Sequence, residues 1–370
     1  MMESLKVLGL ESSCDDTAAA LVNVDYRNNI FLSGQVISSI VFNQNLLHAQ
    51  YGGVVPELAA RAHTEKLDIC VESALEKSKT TLNNIDIICV TSGPGLIGGL
   101  LSGVVFAKAL ALGLKKPLIG VNHLAGHALT PRLSNSTKFP YLTLLVSGGH
   151  CQFLIVKSAI AFIRIGGTID DAPGEAFDKI AKILGLEYPG GPEVEKRAQK
   201  GDPYAFNLPR PLIQQKNCDM SFSGLKTALR REVDLIKSIS ATISETQVND
   251  LCASFQKAVE DIFINKSKKA MKIFNALYPD LPQKIAIVGG VASNKSIGLA
   301  LSKITKEFNF SLILPDKHLC TDNAAMIASA GAELYMGKNY SKDSLIPRPR
   351  WPLDVDAKPM IGSGKKGRKA

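Results

Sequence analysis

The sequence predicts an α/β protein made of two similar halves. Two stretches, VLGLESSCDDTAAALV (7–22) and LTLLVSGGHCQFLIV (142–156), share one plan: an apolar strand, a small polar turn, a second apolar strand. Each is followed by segments alternating between strand and helix periodicity, as in sheets covered by helices. The chain has 370 residues, enough for two compact cores, and its 45% hydrophobic and 21% charged residues are ordinary for a globular protein.

In the first half, PELAARAHTEKLDICVESALEKS (56–78) carries helical apolar spacing, and Pro56 suits a first helical turn. IDIICVT (85–91) then reads as a strand and Leu100–Leu112 as an apolar helix. The polar stretch LSNSTKFP, around Ser134–Phe139, marks the boundary between the halves. Beyond it, GEAFDKIAKILGL (174–186) reads as a helix, and SETQ at Ser244–Gln247 is a capping box that opens a long one. KIAIVGG (284–290) is a strand, NKSIGLALSKITKEF a helix and SLILP a further strand.

Composition narrows the setting. The opening MMESLKVLGLESSC has one Lys before a four-residue apolar run, too short for a secretory core. No stretch approaches the roughly 18–20 uninterrupted apolar residues of a membrane span. Seven scattered cysteines without a CxxC pair suggest free thiols, so a soluble, cytoplasmic protein without membrane association is expected. The net charge is +9, and the tail GSGKKGRKA supplies four positive charges and no acid. From Ile87 to Ile169 there is no Asp or Glu, yet Lys108, Lys115, Lys116, Arg132, Lys138, Lys157 and Arg164 are present. Burial would exclude charge of either sign, so this bias suggests a positive field over an anionic ligand or nucleic acid.

SGPGLIGG (92–99) contains G-x-G-x-x-G, but the dinucleotide fingerprint needs an acid about 20 residues on, and the acid-free segment forbids one. A turn that lets backbone pack closely is the better reading. No G-x-x-x-x-G-K-[ST] occurs. In LVSGGH (145–150), Gly148 and Gly149 can turn backbone N–H groups toward an anion, with Ser147 adding a hydroxyl. One such turn alone is an ordinary hairpin. Two, heading two α/β halves, follow the plan of the actin, hexokinase and Hsp70 superfamily, whose ribonuclease-H-like halves clamp a nucleotide in a central cleft. Gly289, Gly290 and Asn294, between a strand and a helix, suit the adenosine side. Asp171, Glu175 and Asp178 fall at i, i+4 and i+7, either as a solvated first turn or with Asp178 on ribose hydroxyls before the PGGP turn at 189–192.

Two of the six histidines, His123 and His127 in NHLAGHAL, are four apart and share a face on a helix, so both can reach one ion. HExxH proteases carry their water-activating Glu inside the motif, and none is present here. A third ligand must come from afar. Asp322 in CTDNAAMIASAG, between a strand and a helix, is the candidate, with helix N-cap as its ordinary alternative. His2Asp would leave positions open on the ion, as a Lewis acid requires.

Together these motifs resemble one family, the tRNA N6-adenosine threonylcarbamoyltransferases. The matching stretches include GLESSCDDTAAALV, QYGGVVPELAARAH, SGPGLIGGLLSG, NHLAGHAL, LLVSGGH, DDAPGEAFDKIAKILGL, SFSGLKTALRR, GGVASN, CTDNAAMIA and RPRWPLD, in order from residue 8 to about residue 354. Asp16, Cys151 and Ser293 stand where Glu, Thr and Ala are common in that family. The resemblance implies actin-like lobes at 1–134 and 139–320, a helix over 321–350 returning to the first lobe, and a basic tail at 351–370. It implies one Fe2+ or Zn2+ held by His123, His127 and Asp322. It places the adenylate on Leu145, Val146, Ser147, Gly148, Gly149, Asp178, Gly191 and Asn294, with Glu195 a further ribose candidate. The implied reaction transfers threonylcarbamoyl from threonylcarbamoyl-AMP to N6 of the adenosine 3′ to the anticodon, in tRNAs reading codons that start with A. Glu11 in the first hairpin is the candidate base. Implied partners are tRNA and either a paralogous helper subunit with a small ATPase, or a second copy of the chain. The rivals are a metallopeptidase and an ATP-dependent switch or scaffold.

Overall fold

The computed structural model describes residues 2–240, 242–340 and 345–358; the basic tail GSGKKGRKA lies outside the described residues. Five strands, β1 (Glu3–Glu11), β2 (Asp16–Arg27), β3 (Ile30–Asn43), β4 (Ile87–Gly93) and β5 (Leu118–Asn122), form one sheet in the order β3-β2-β1-β4-β5. Five more, β6 (Tyr141–Val146), β7 (Cys151–Val156), β8 (Phe162–Gly167), β9 (Lys284–Val288) and β10 (Ser311–Ile313), form a second in the order β10-β9-β6-β7-β8. In both, three antiparallel strands meander before two more add in parallel. The connectivity is the same twice: two ribonuclease-H-like halves.

Helices α1 (Asn45–Ala49), α2 (Pro56–Ser78), α3 (Ile97–Leu114) and α4 (His123–Asn135) belong to the first half of the chain. There follow α5 (Pro173–Leu184), α6 (Gly190–Ala198), α7 (Ser223–Ile239), α8 (Glu245–Leu277), α9 (Lys295–Glu307), α10 (Lys317–Cys320) and α11 (Ala324–Met336). Ser244 and Gln247 close the expected capping box at the start of α8.

Strand alternation sorts the side chains into three cores. On the outer face of the first sheet, Leu8, Leu10, Ile88 and Val90 meet Leu67 and Val71 of α2 and Val104 of α3. On the outer face of the second sheet, Leu142, Leu144 and Phe153 meet α5, α7, α8 and α9 through residues such as Phe177, Leu225 and Phe255. Between the sheets lie α4 and α11, whose Leu124, Ala128 and Ile327 pack on Val7 and Val121 from one side and Tyr141, Leu145 and Leu154 from the other. The middle layer is tight. A Cβ at Gly9 would sit 2.1 Å from the Ala324 carbonyl oxygen, and one at Gly126 3.0 Å from Ile327. Gly126, which weakens helix propensity, thus lets α4 approach α11.

The glycine-rich turn before α3 has the packing role expected of it. Cβ atoms at Gly95 and Gly99 would lie 2.5 and 2.3 Å from the carbonyl oxygens of Ser13 and Ser12. It presses α3 onto the first hairpin turn. By length and composition α3 is apolar enough to cross a membrane, although Ser102 and Lys108 interrupt it. Its Leu100, Val104, Ala107 and Ala111 are buried against the sheet and α2.

Candidate metal centre and nucleotide cleft

The side chain of Asn122, at the end of β5, accepts from the N–H groups of Leu124 (2.9 Å) and Ala125 (3.3 Å) and so caps α4. His123 and His127 then follow one turn apart on one buried face. On the far side of the middle layer, Asn323 caps α11 by accepting from Met326 N–H at 2.9 Å. That removes the ordinary alternative for Asp322. Its Oδ1 lies 3.0 Å from His127 Nε2 and 3.5 Å from His123 Nε2.

These three side chains fit a metal. Ligand atoms of all three lie within 4.8 Å of one another. Two atoms bound to tetrahedral zinc at about 2.0–2.1 Å lie about 3.3 Å apart, so the two carboxylate–imidazole separations, 3.0 and 3.5 Å, bracket the requirement, while the two histidine nitrogens are held only to within 4.8 Å. The opposite ring nitrogen of His123, Nδ1, faces Glu11 Oε2 (3.0 Å) and Ser13 Oγ (3.1 Å). A proton on Nδ1 satisfies the carboxylate and leaves the Nε2 lone pair for the ion, the usual support of a metal-bound histidine. Glu11 is itself held: Ser13 N–H donates to Oε1 at 2.6 Å and Thr91 Oγ1 to Oε2 at 2.5 Å. Burial alone would push the Glu11 carboxyl up, but the His123 ring beside it holds it down. Burial would likewise lower the His123 ring, yet the Glu11 and Asp322 carboxylates hold it well above its ordinary value. Among the described residues, Nδ1 of His127 is buried with no hydrogen-bond partner.

The second hairpin turn is closed by Ser147 N–H donating to His150 O (2.8 Å) and His150 N–H donating to Ser147 Oγ (3.2 Å). Gly148 O accepts from Glu175 N–H at the start of α5 (3.2 Å), and Gly289, at φ +97°, passes directly behind Val146. Cβ atoms at Gly148 and Gly149 would meet nothing within 4 Å. The turn therefore offers main chain to open space. Beside it is a cleft of about 330 Å³, and of the residues chosen from sequence Gly148, Asp178, Gly191, Glu195 and Asn294 line it. That is the size of a small-ligand site. Leu145 and Val146 turn their side chains into the cores, so only their backbone can serve a ligand.

Of the Asp171, Glu175 and Asp178 series, the first two bind Lys179 at 2.7 Å each. Asp178 alone faces the cleft, accepting Gly190 N–H at 2.8 Å, and burial pushes its carboxyl up. Glu195 Oε1 accepts Lys295 N–H (2.8 Å), while Asn294 caps α9 through Ile297 N–H (3.0 Å) and donates to Gln256 (3.0 Å).

The positive field read from the acid-free segment is not at this cleft. None of its seven cations lines it. Arg132 is buried and paired with Glu333 at 2.6 Å, and the backbone N–H of Arg164 is bound to Asp354. Lys108 lies within α3, Lys115 and Lys116 follow its C-terminal end, Lys138 precedes β6 and Lys157 follows β7. The segment lacks acids because most of it is core, and its buried cation, Arg132, takes its acid from far along the chain. Sequence reasoning also missed Ser13, Thr91, Asn122 and Asn323. The last two carried a signal, an Asn directly before an apolar helix.

The family model for tRNA N6-adenosine threonylcarbamoyltransferases matches residues 35–329. Over all 370 residues, and the whole of each relative, the chain is 54% identical to the tRNA N6-adenosine threonylcarbamoyltransferase of Cereibacter sphaeroides and 53% identical to that of Paracoccus denitrificans. Among solved structures, HypF of T. kodakarensis matches with a TM-score of 0.55 at 14% identity, covering 92% of this chain and 50% of HypF, a likeness of fold alone. With the actin-like pairing of halves, the site and near-54% identity in agreement, the chain belongs to the family of tRNA N6-adenosine threonylcarbamoyltransferases.

Proposed function

We propose that the metal centre and the cleft serve the two ends of one substrate. The chain acts on tRNA, transferring the threonylcarbamoyl group from threonylcarbamoyl-AMP to N6 of the adenosine 3′ to the anticodon in tRNAs that read codons starting with A. The observation that carries the site assignment is the convergence of His123 and His127 with Asp322, almost 200 residues later, on one point.

His123, His127 and Asp322 would hold one Fe2+ or Zn2+, which would polarise the carbamoyl carbonyl or anchor the phosphate. Glu11 fixes the His123 ring through Nδ1; buried and bonded to Ser13 and Thr91, it acts as a positioning residue and not as the base. The Leu145–Gly149 backbone cradles the phosphate, and Asp178 takes ribose hydroxyls with the oxygen that Gly190 leaves free. Gly191, Glu195 and Asn294 shape the adenosine pocket. As the N6 amine attacks the carbonyl carbon, the bond to the AMP oxygen breaks, the amine proton passes to the departing phosphate, and donors already in place on the phosphate stabilise the leaving group without reorganisation. A peptidase reading leaves the nucleotide elements without a role.

For a helper, the free face of α3 is the docking surface: Leu101, Val105 and Leu112 are exposed on the helix side turned from the sheet. A paralogous chain with a matching apolar helix fits it. Val105→Glu is expected to abolish co-elution with such a partner while zinc binding persists. The reaction itself is tested by incubating the protein with threonylcarbamoyl-AMP and unmodified tRNA, with and without helper proteins, and weighing the digested nucleosides. Threonylcarbamoyl-adenosine is expected with wild type and not with His123→Ala; equal product from both would remove the metal centre from the reaction.

A further inference from the structure

We propose that the strap formed by residues 345–358 is a positioning element of the metal centre, acting through Asn122. This rests on His123, His127 and Asp322 being the ligands. The strap has no regular secondary structure, yet it is fastened at several places by main chain and by one carboxylate. Arg348 N–H donates to Ser92 O (2.6 Å), Gly95 N–H donates to Pro349 O (3.3 Å), and Asp354 accepts from Arg164 N–H (2.8 Å) on β8. It therefore runs from the first sheet to the edge of the second. The approach is close enough to demand glycine beneath it. At Gly93, with φ +149°, a Cβ would lie 2.0 Å from Arg348 O, and at Gly120 2.0 Å from the Leu345 side chain.

The fastening that matters is the one to Asn122. Its amide has two distinct ends, both used. The oxygen caps α4; the nitrogen donates to Trp351 O at 2.9 Å. With the strap carbonyl in place, the amide can only sit with its oxygen toward the helix. His123 is the first residue of α4 and His127 lies one turn on, so the pose of that first turn sets where both Nε2 atoms point. Ligand placement must hold to about half an ångström for metal binding. The strap is thus a third support for the ligand helix, beside Glu11 and Ser13.

Trp351 is the sole tryptophan in the chain, so intrinsic fluorescence reports on the strap. The test is a zinc titration of the full chain against a competing chelator, with Trp351 emission followed, for wild type and Asn122→Asp. Aspartate keeps the cap acceptor at a helix N-terminus but has no donor for Trp351 O. We expect zinc to shift Trp351 emission in the wild type. In Asn122→Asp, zinc affinity should fall about tenfold or more, emission should no longer respond, and the melting temperature should hold. Zinc binding by the variant as tight as the wild type's overturns the proposal. If Asn122→Asp melts early, Arg348→Pro decides, because it removes the strap N–H that Ser92 O accepts and leaves Asn122 and its strand unchanged: weakened zinc binding supports the strap, and unchanged binding overturns it. A wild type that takes up no zinc would remove the ligand assignment itself, and the inference with it.

Discussion

The two halves carry the same hairpin at the same place in the same sheet order, and they use it in opposite ways. Between β1 and β2 the turn is acidic: Glu11 ends the strand, and Asp15 and Asp16 follow. Between β6 and β7 it is Ser147-Gly148-Gly149-His150, with no carboxylate, and the Ser147 hydroxyl helps close the turn. The acidic turn works through side chains aimed inward, Glu11 being 1% exposed against His123. The glycine turn works through main chain left open. Duplication supplies the scaffold; a handful of turn residues makes one copy suit a cation's ligands and the other an anion. The second half has its own buried carboxylate, Asp170, which accepts from Ser221, Phe222 and Ser223. It builds a loop and stays out of the site.

The comparison breaks most sharply at the ligands. His127→Ala should reduce zinc content to background and product formation by at least about 100-fold, measured by metal analysis and nucleoside mass spectrometry. Glu11→Gln should weaken zinc by about 10- to 100-fold while the nucleotide cleft keeps its affinity, because only the support of His123 is lost. On the other copy, Gly148→Val should leave folding and zinc intact, since a Cβ there has nothing within 4 Å, and raise the KM for the donor about tenfold by filling the phosphate cradle.

The smallest effect belongs to Asp170. Burial alone would raise its carboxyl, but the Ser221 and Ser223 hydroxyls and the Phe222 amide hold it below its usual value. A depressed carboxylate contributes stability above its unfolded pKa of about 3.9 and loses it as pH falls through the lower folded value. Asp170→Asn should therefore cost about 1–2 kcal/mol at neutral pH, and the gap to wild type should close as pH falls through and below the ordinary carboxylate range, read by urea denaturation across pH.

Much of this was legible in the sequence, for identifiable reasons. Strand alternation marked both hairpins, and the glycine turn before α3 showed its packing role because no acid follows to hold a ribose. His123, His127 and Asp322 were found by ligand type, and the overlooked sign that frees Asp322 was Asn323, an Asn directly before the apolar helix it caps. Charge did not point to the nucleotide cleft. A run without acids looked like a field, but Arg132 pairs with Glu333 across 201 positions, a contact only the fold creates. The strap was illegible for the same reason: its hold on Asn122 passes through the backbone carbonyl of Trp351, which carries no residue-type signal.

The most direct test of divided labour measures two affinities, zinc without nucleotide and AMP without metal, in Glu11→Gln and Gly148→Val. The account predicts that Glu11→Gln loses zinc and keeps AMP, and that Gly148→Val loses AMP and keeps zinc. Parallel loss of both affinities in both variants would contradict it, and would mean that the two turns form a single site.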